Sequence, residues 1–410
     1  MNSAMSSTAR AGSGPGPGAR PGPGPGARPG PGPGARPGPG TQPGPGANLA
    51  VLRGHNAALV LGLLRDAGEG GISRLELAAQ TGLTPQAVSK ITARLRADGL
   101  AAEAGHRAST GGKPRTVLRL VPGARRAIGL HLDRDELTAV LVDLAGTPLG
   151  RRTVPFDFGA GAEEAVAVVG GEVEALLAEA DGGRAGLLGA GVAAPGPLDH
   201  GSGVLRRVTG FPRWDGFPLR DALAERLGLP VVLDKDTNAA ALGLTVGRAR
   251  QRAAGSFPAG SFAYLHLGTG LGAGLVLGGV VHRGARTGAG EFGHQVIQLD
   301  GPPCGCGNRG CLEALCLAAV ADGDPARAAR LLGVGAANLV RLLDIDRVLL
   351  GGRVVLAAPE PYARGVAETL AADAARAGGR TVPVDVVGRG GHAVVEGAAQ
   401  LVLAPLFAVG

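Results

Sequence analysis

The sequence predicts an α/β protein fronted by a small helical module, and three observations carry that expectation. After Val121, short apolar strands alternate with helical segments, the pattern of layered α/β folds. Before Val121, two short helices meet at a glycine turn and run into two strands around a basic tip. Farther along, one histidine and three of the chain's four cysteines crowd into the stretch from His294 to Cys311.

The first 48 residues come first in order and carry no structural signal. Residues 14–46 are almost wholly Gly and Pro, with a unit PGPGPGAR that sets Arg20, Arg28 and Arg36 in register. Glycine does not recur at every third position, which excludes a collagen helix, and with no apolar side chains nothing offsets the entropy of ordering. This tail is expected to be disordered.

Helices follow. Asn56–Ala67 reads as an apolar helix. Ser73 with Glu76 three residues on forms a capping box for a second helix, Ser73–Gln80. Thr84 followed by Pro85 starts a third that runs to about Gly99, and the Thr81-Gly82-Leu83 turn lies between them. Two short helices joined by a glycine turn are the sequence form of a helix-turn-helix. On the third helix Val88, Ile91 and Leu95 share one face, which leaves Gln86, Ser89, Lys90, Thr92, Arg94 and Arg96 outside. Strands at Leu100–Glu103 and Thr116–Leu120 then frame a turn-rich tip containing Arg107, Lys113 and Arg115, the pattern of a wing. The residues expected to face DNA are Thr84, Gln86, Ser89, Lys90, Arg94, Arg107, Lys113 and Arg115. A winged helix over 49–122 serves protein contacts as well as nucleic acid, and charge separates the two. Residues 1–121 hold 14 Lys and Arg against 5 Asp and Glu, whereas residues 122–410 hold 27 against 29. A positive field confined to the front third attracts a polyanion.

Strands at Ile128–Leu132, Leu137–Asp143, Leu187–Ala193 and Val231–Leu233, and a second set from Phe262, build the α/β body. No apolar run reaches the roughly 18 residues of a membrane span, and the N-terminus lacks the apolar core of a signal peptide, so a cytoplasmic protein is expected. Unpaired thiols suit that compartment. His294, Cys304, Cys306 and Cys311 offer one imidazole and three thiolates in a Gly- and Pro-rich loop, a ligand set that tetrahedral zinc accepts; the alternative is a group of reduced structural thiols. Cys316, five residues on in a helical stretch, reads as core.

The segment Ala289–Glu313, AGEFGHQVIQLDGPPCGCGNRGCLE, resembles the zinc-binding signature of the ROK family, which contains sugar kinases and sugar-responsive transcriptional regulators. The likeness extends from about Leu49 onward, and GGKPR resembles the wing of the family's regulators. The resemblance implies two actin-like ATPase lobes around a cleft, 123–241 and 242–410, the second carrying a structural zinc loop and its last helix expected to return to the first lobe. In the family's kinases the residue matching Asp236 takes the proton from the attacking sugar hydroxyl, and its usual neighbour is Asn. This chain has Lys235 there, a cation for Asp234, Asp236 or an acidic ligand. Glu291, His294 and Glu313 match sugar-contacting positions, and Pro195-Gly196 matches the loop that closes on sugar.

Phosphate handling separates kinase from regulator. Gly268–Gly274 keeps a glycine-rich pattern that serves equally as a phosphate cradle or a tight hairpin, and Leu350-Gly351-Gly352 resembles the family's adenosine-side turn. Where the family's kinases carry Asp-x-Gly-Gly-Thr, this chain places His131, Asp133, Arg134 and Asp135 at the Asp, Gly, Gly and Thr positions. Without glycine the backbone cannot approach phosphate, and two carboxylates stand where phosphate charge would lie. The expected protein is a regulator, most simply a repressor, acting on double-stranded operator DNA as a homodimer or homotetramer, with a sugar or sugar derivative as effector, Zn2+ as cofactor and no catalysis. An ATP-dependent sugar kinase with an added DNA-binding domain, Asp236 its base, is the alternative, and a sugar-sensing interaction protein a third.

Overall fold

The computed structural model describes residues 49–107, 115–181, 183–253, 260–387 and 392–407, with the backbone alone for 49–53, 106–107 and 247–253. The Gly/Pro tail and the wing tip with Lys113 lie outside the described residues, as does the side chain of Arg107.

The front module runs α1 (Leu49–Asp66), β1 (Ile72–Ser73), α2 (Arg74–Thr81), α3 (Pro85–Ala97), β2 (Ala101–Arg107) and β3 (Arg115–Leu120). Ser73 caps α2 as its sequence requires: its Oγ accepts from the Glu76 amide at 3.3 Å while Glu76 Oε2 accepts from the Ser73 amide at 2.8 Å. Gly82, at φ 69°, ends the helix in the left-handed region that glycine enters without steric cost. Thr84 Oγ1 accepts from the Ala87 amide and Pro85 opens α3. The strands form a sheet of order β1-β3-β2, and Val88 and Leu95 of α3 pack inward with Leu77, Leu118 and Leu120. Thr92 departs from the sequence reading. It is buried, and its hydroxyl donates to the Val88 carbonyl at 2.9 Å and accepts from Arg74 Nε at 3.4 Å, so a polar residue joins the inner face because its hydrogen bonds are met there.

The body contains two five-stranded sheets. The first comprises β4 (Arg126–Leu132), β5 (Glu136–Asp143), β6 (Pro148–Pro155), β7 (Leu187–Ala194) and β10 (Val231–Lys235), ordered β10-β7-β4-β5-β6, with β4, β7 and β10 parallel. Between its strands come α4 (Ala162–Glu179), a small hairpin of β8 (Leu198–Asp199) and β9 (Val204–Leu205), and α5 (Leu219–Leu227). Then α6 (Asp236–Ala253) leads to the second sheet: β11 (Phe262–Leu267), β12 (Leu271–Leu277), β13 (Val280–Val281), β14 (Arg347–Gly351) and β15 (Val384–Val386), ordered β13-β12-β11-β14-β15. One apolar cluster joins the first sheet to α4 and α5; another joins the second sheet to α7 (Leu312–Ala321), α8 (Pro325–Leu343), α9 (Arg353–Ala357) and α10 (Pro359–Ala377).

Two helices run between the sheets. α6 packs on β11 and β12, so the lobe boundary expected at 241 falls inside a continuous helix. α11 (Ala393–Leu403) returns to lie on β4, β5 and β7 of the first sheet and along α6, the expected return of the last helix to the first lobe. β4, β7 and β10 run parallel in the first sheet and β11 and β14 in the second, and residues just past the C-terminal ends of β4, β7, β10 and β11 line one cavity, as expected where open α/β sheets bind ligands.

Candidate functional site

On the front module, Thr84, Gln86, Ser89, Lys90, Arg94 and Arg115 are all exposed. Residues 86, 89, 90 and 94 fall on one side of α3, a polar face with two cations. Arg94 lies 3.8 Å from Asp98 one turn later, and Arg96 pairs with Glu103 at 3.1 Å, both at the surface where such pairs are weak and readily exchanged. Thr84 has a structural part as well, since it caps the helix.

Between the lobes the loop ends enclose a polar cavity. Gly196, Lys235, Asp236, Glu291, His294 and Glu313, drawn from a span of more than a hundred residues, line it together. Asp236 is the first residue of α6, and its Oδ1 accepts from the Thr237 amide at 2.6 Å. Glu313 stands in the first turn of α7, where its Oε2 accepts from the Leu271 amide at 2.8 Å, bracing the second-lobe glycine loop. Thr269 comes from the expected glycine-rich loop Gly268–Gly274, whereas Thr209, Thr237 and His266, which line the same cavity, were not singled out in the sequence. Their types carry no spacing signal, and only the closure of two lobes brings them in.

Lys235 finds a different partner from those expected. Its buried Nζ donates to Glu291 Oε1 at 3.0 Å and to the Ala289 carbonyl. Asp234, its neighbour in sequence, is instead held by Arg283 Nε at 2.7 Å, Asn238 Nδ2 at 2.8 Å and the Lys235 amide at 2.8 Å. Strand geometry explains the split: adjacent residues on β10 point to opposite faces, so Asp234 and Lys235 cannot meet side by side. Gly196 makes room, since a Cβ there would stand 2.8 Å from Lys235 Cδ.

The turn between β4 and β5 forms the other wall. Asp133 Oδ1 accepts from the Arg134 amide at 2.7 Å and from Thr269 Oγ1 of the second lobe at 3.2 Å. Burial works against its charge, yet His131, the Arg134 amide, His266 and Arg353 hold its carboxyl below the ordinary range. Arg353, at the start of α9, reaches both oxygens of Asp135 at 3.1 and 2.8 Å. Arg134 lies against the glycine loop, where a Cβ on Gly270 would stand 3.4 Å from its Nη2, and its guanidinium sits 5.7 Å from the Phe211 ring centre. Side chains from both lobes therefore crowd the glycine loop: Glu313 accepts from the Leu271 amide, Asp133 accepts from Thr269 Oγ1, and Arg134 lies beside Gly270.

Below Glu291, a short 3-10 turn at Phe292–His294 delivers the imidazole to the cysteine loop. The loop folds back on itself through Ile297 N to Gly310 O at 3.0 Å, Leu312 N to Gln295 O at 2.9 Å and Cys304 N to Asn308 O at 2.8 Å, with Gly307 and Gly310 at positive φ. One ligand atom each from His294, Cys304, Cys306 and Cys311 lies within 4.8 Å of the others, a group able to hold a metal ion. Cys316 is apart from it, buried in the second-lobe core with its thiol pushed up to about 12 by burial.

Comparison with known proteins bears on both halves. A model described as "ROK family" matches residues 127–321, and one described as "winged helix-turn-helix DNA-binding" matches residues 59–101. A putative xylose repressor of Caldicellulosiruptor sp. (strain Rt8B.4) is 30% identical over 266 residues, covering 65% of this chain and 64% of the repressor's own length. Among solved structures, a ROK hexokinase from Thermus thermophilus shares 31% identity, with 69% of this chain and 97% of the hexokinase covered and a TM-score of 0.54. A ROK family transcriptional regulator, described as a homologue of the E. coli MLC protein, superposes with a TM-score of 0.69 over 87% of this chain and 97% of that one; at 22% identity this is a likeness of fold. No helix among the described residues is long and apolar enough to cross a membrane.

Proposed function

The chain belongs to the ROK family, and from that membership we propose that it is a DNA-binding transcriptional repressor whose operator affinity is set by a sugar held, and not phosphorylated, in the cleft between its lobes. The observation that carries the reading is the Asp133-Arg134-Asp135 turn. Its two carboxylates are bonded across the cleft to Thr269 and Arg353, and Arg134 covers Gly270. A nucleotide triphosphate would have to break those bonds and then face Asp133 and Asp135, while the sugar side keeps its acceptors Asp236, Glu291 and Glu313. Carboxylates suit hydroxyl donors. The xylose repressor and the hexokinase among its relatives make D-xylose and D-glucose the first effectors to try.

Steady ADP release from ATP, magnesium and a panel of pentoses and hexoses is the decisive assay. The expected result is no turnover above background; turnover abolished by Asp236→Asn establishes the kinase instead. That second reading is supported by Asp236, which lines the cavity and matches the base of the family's kinases by resemblance, and by the likeness to a ROK hexokinase.

Exposed Gln86, Ser89, Lys90 and Arg94 suit a major groove, with Arg115 on the wing strand. Self-association as a homodimer or homotetramer would present two copies of α3 to half-sites about one helical turn apart. Retardation of duplex DNA that weakens steeply with salt supports this; retention without salt dependence points to a protein partner. We assign the four-ligand cluster to Zn2+, in keeping with a cytoplasmic protein. Two thiolates on one tetrahedral zinc stand about 3.8 Å apart at bond lengths near 2.3 Å, and Cys306 Sγ to Cys311 Sγ measures 3.7 Å. Bound there, the ion orders the loop that positions Glu291 and Glu313, a structural role.

A further inference from the structure

How an effector in the cleft reaches the DNA-binding module is a question the last helix answers, given the repressor reading above. At one end of α11, Ala393 and Val395 line a cavity of about 330 Å³ between the lobes, together with Asp133, His266 and Arg353. At the other end Leu403 leads into a 3-10 turn, Ala404–Phe407, that packs on α1. Phe407 shares one apolar cluster with Val60, Leu61 and Leu64 of α1. The guanidinium of Arg65, itself buried, lies 4.1 Å from the centre of the Phe407 ring, an arrangement that attracts in a water-poor setting. Val395, Ala399 and Leu403, spaced one turn apart, face this cluster, while Val394, Ala398 and Leu401 face the one built around α6.

Glycines lock the helix on both flanks. A Cβ on Gly129 of β4 would stand 2.8 Å from the Ala399 amide nitrogen and strike the Val395 carbonyl; one on Gly191 of β7 would strike the Ala398 carbonyl. On the opposite side a Cβ on Gly397 would strike the Ala239 carbonyl of α6, and one on Gly243 would stand 2.9 Å from the Gly397 Cα. Backbone against backbone leaves no side chain to yield, and a close-packed contact of this kind transmits displacement. The first residue of α6 is Asp236, in the effector cavity. A shift of that helix end therefore moves α11, and with it Phe407.

We propose that α11 is the strut that couples effector binding to operator affinity, and that the Phe407 contact on α1 is the joint through which it acts on the winged helix.

The test uses the full-length chain, a DNA duplex enriched from a random pool by the wild-type protein, and D-xylose or D-glucose, whichever raises its melting temperature. In the wild type, the sugar should change duplex affinity by about fivefold or more, the usual floor of an allosteric coupling, and in Phe407→Ala by less than about twofold. The variant should keep the sugar-induced rise in melting temperature and bind the duplex. Amide exchange in α1 should respond to the sugar in the wild type and not in the variant. A folded Phe407→Ala protein with the full wild-type change overturns the proposal. Where that variant does not melt cooperatively, Phe407→Leu, which keeps most of the apolar volume and loses the ring, is judged by the same ratio. A wild-type protein that binds the duplex but neither sugar refutes the effector reading itself, and the strut falls with it.

Discussion

Lys235 carries an ammonium into a place nearly closed to water, with its side chain 3% exposed, while Glu291, its partner at 3.0 Å, remains 40% exposed. The two ends of this ion pair are therefore unequal. Removing the carboxylate strands a buried charge, whereas removing the ammonium leaves a carboxylate that water can still reach. Glu291→Ala should lower unfolding free energy by about 3 kcal/mol, and Lys235→Met by about 1 kcal/mol or less, in denaturant melts. Equal losses would show that Lys235 is better solvated than its surroundings indicate. His266 supplies a second test at this scale. Burial holds its ring below the ordinary 6.5, with His131 and Arg353 acting in the same sense and Asp236 and Asp133 opposing. The unfolded ring takes up a proton at higher pH than the folded one, so stability present at neutral pH is lost as the pH falls below about 6.5. His266→Gln should flatten the fall in melting temperature between about pH 7 and 5 relative to the wild type. Neither partnership is legible in the chain, because Lys235 and Glu291 stand 56 residues apart and nothing in the run from Leu233 to Ala240 names Glu291 over Asp234.

Elements were more legible than partnerships. The capping box at Ser73 and Glu76, the glycine at 82 and the Thr84-Pro85 start each state a local hydrogen bond, and each is formed. Strand ends differ from their sequence reading by a few residues at most, β2 being the longest extension, to Arg107. The inner face of α3 differed at Thr92 alone, since a threonine whose hydroxyl bonds back to the preceding turn is apolar in effect. On the outer face, Lys90→Ala should weaken duplex binding about equally across sequences and reduce the salt slope by about 1, as measured by anisotropy at several ionic strengths. No effect on the slope would take α3 out of the interface. On α11, Gly191→Ala sets a methyl on the Ala398 carbonyl, and should cost about 3 kcal/mol in denaturant melts because β7 and the helix cannot both stay in place.

For the whole molecule, the two ends of the proposed circuit rest on different cores. The cysteine loop precedes α7 and joins the second-lobe cluster through Phe292 and Leu312, while the winged helix shares its core with the outer face of the first sheet and with α11. Chelation should therefore abolish the thermal shift given by sugar before it reduces duplex binding measured without sugar. Simultaneous loss of both would mean that the metal supports the entire fold.

Local rules were enough to announce a winged helix, an alternating α/β body and a cysteine loop with metal-ligand spacing, because capping, periodicity and short-range spacing are written in neighbouring residues. Closure of the two lobes decided the rest: which carboxylate meets Lys235 and what lies against Arg134. Those contacts join residues that are distant along the chain, and their choice depends on which surfaces shape and charge allow to touch once the sheets have formed.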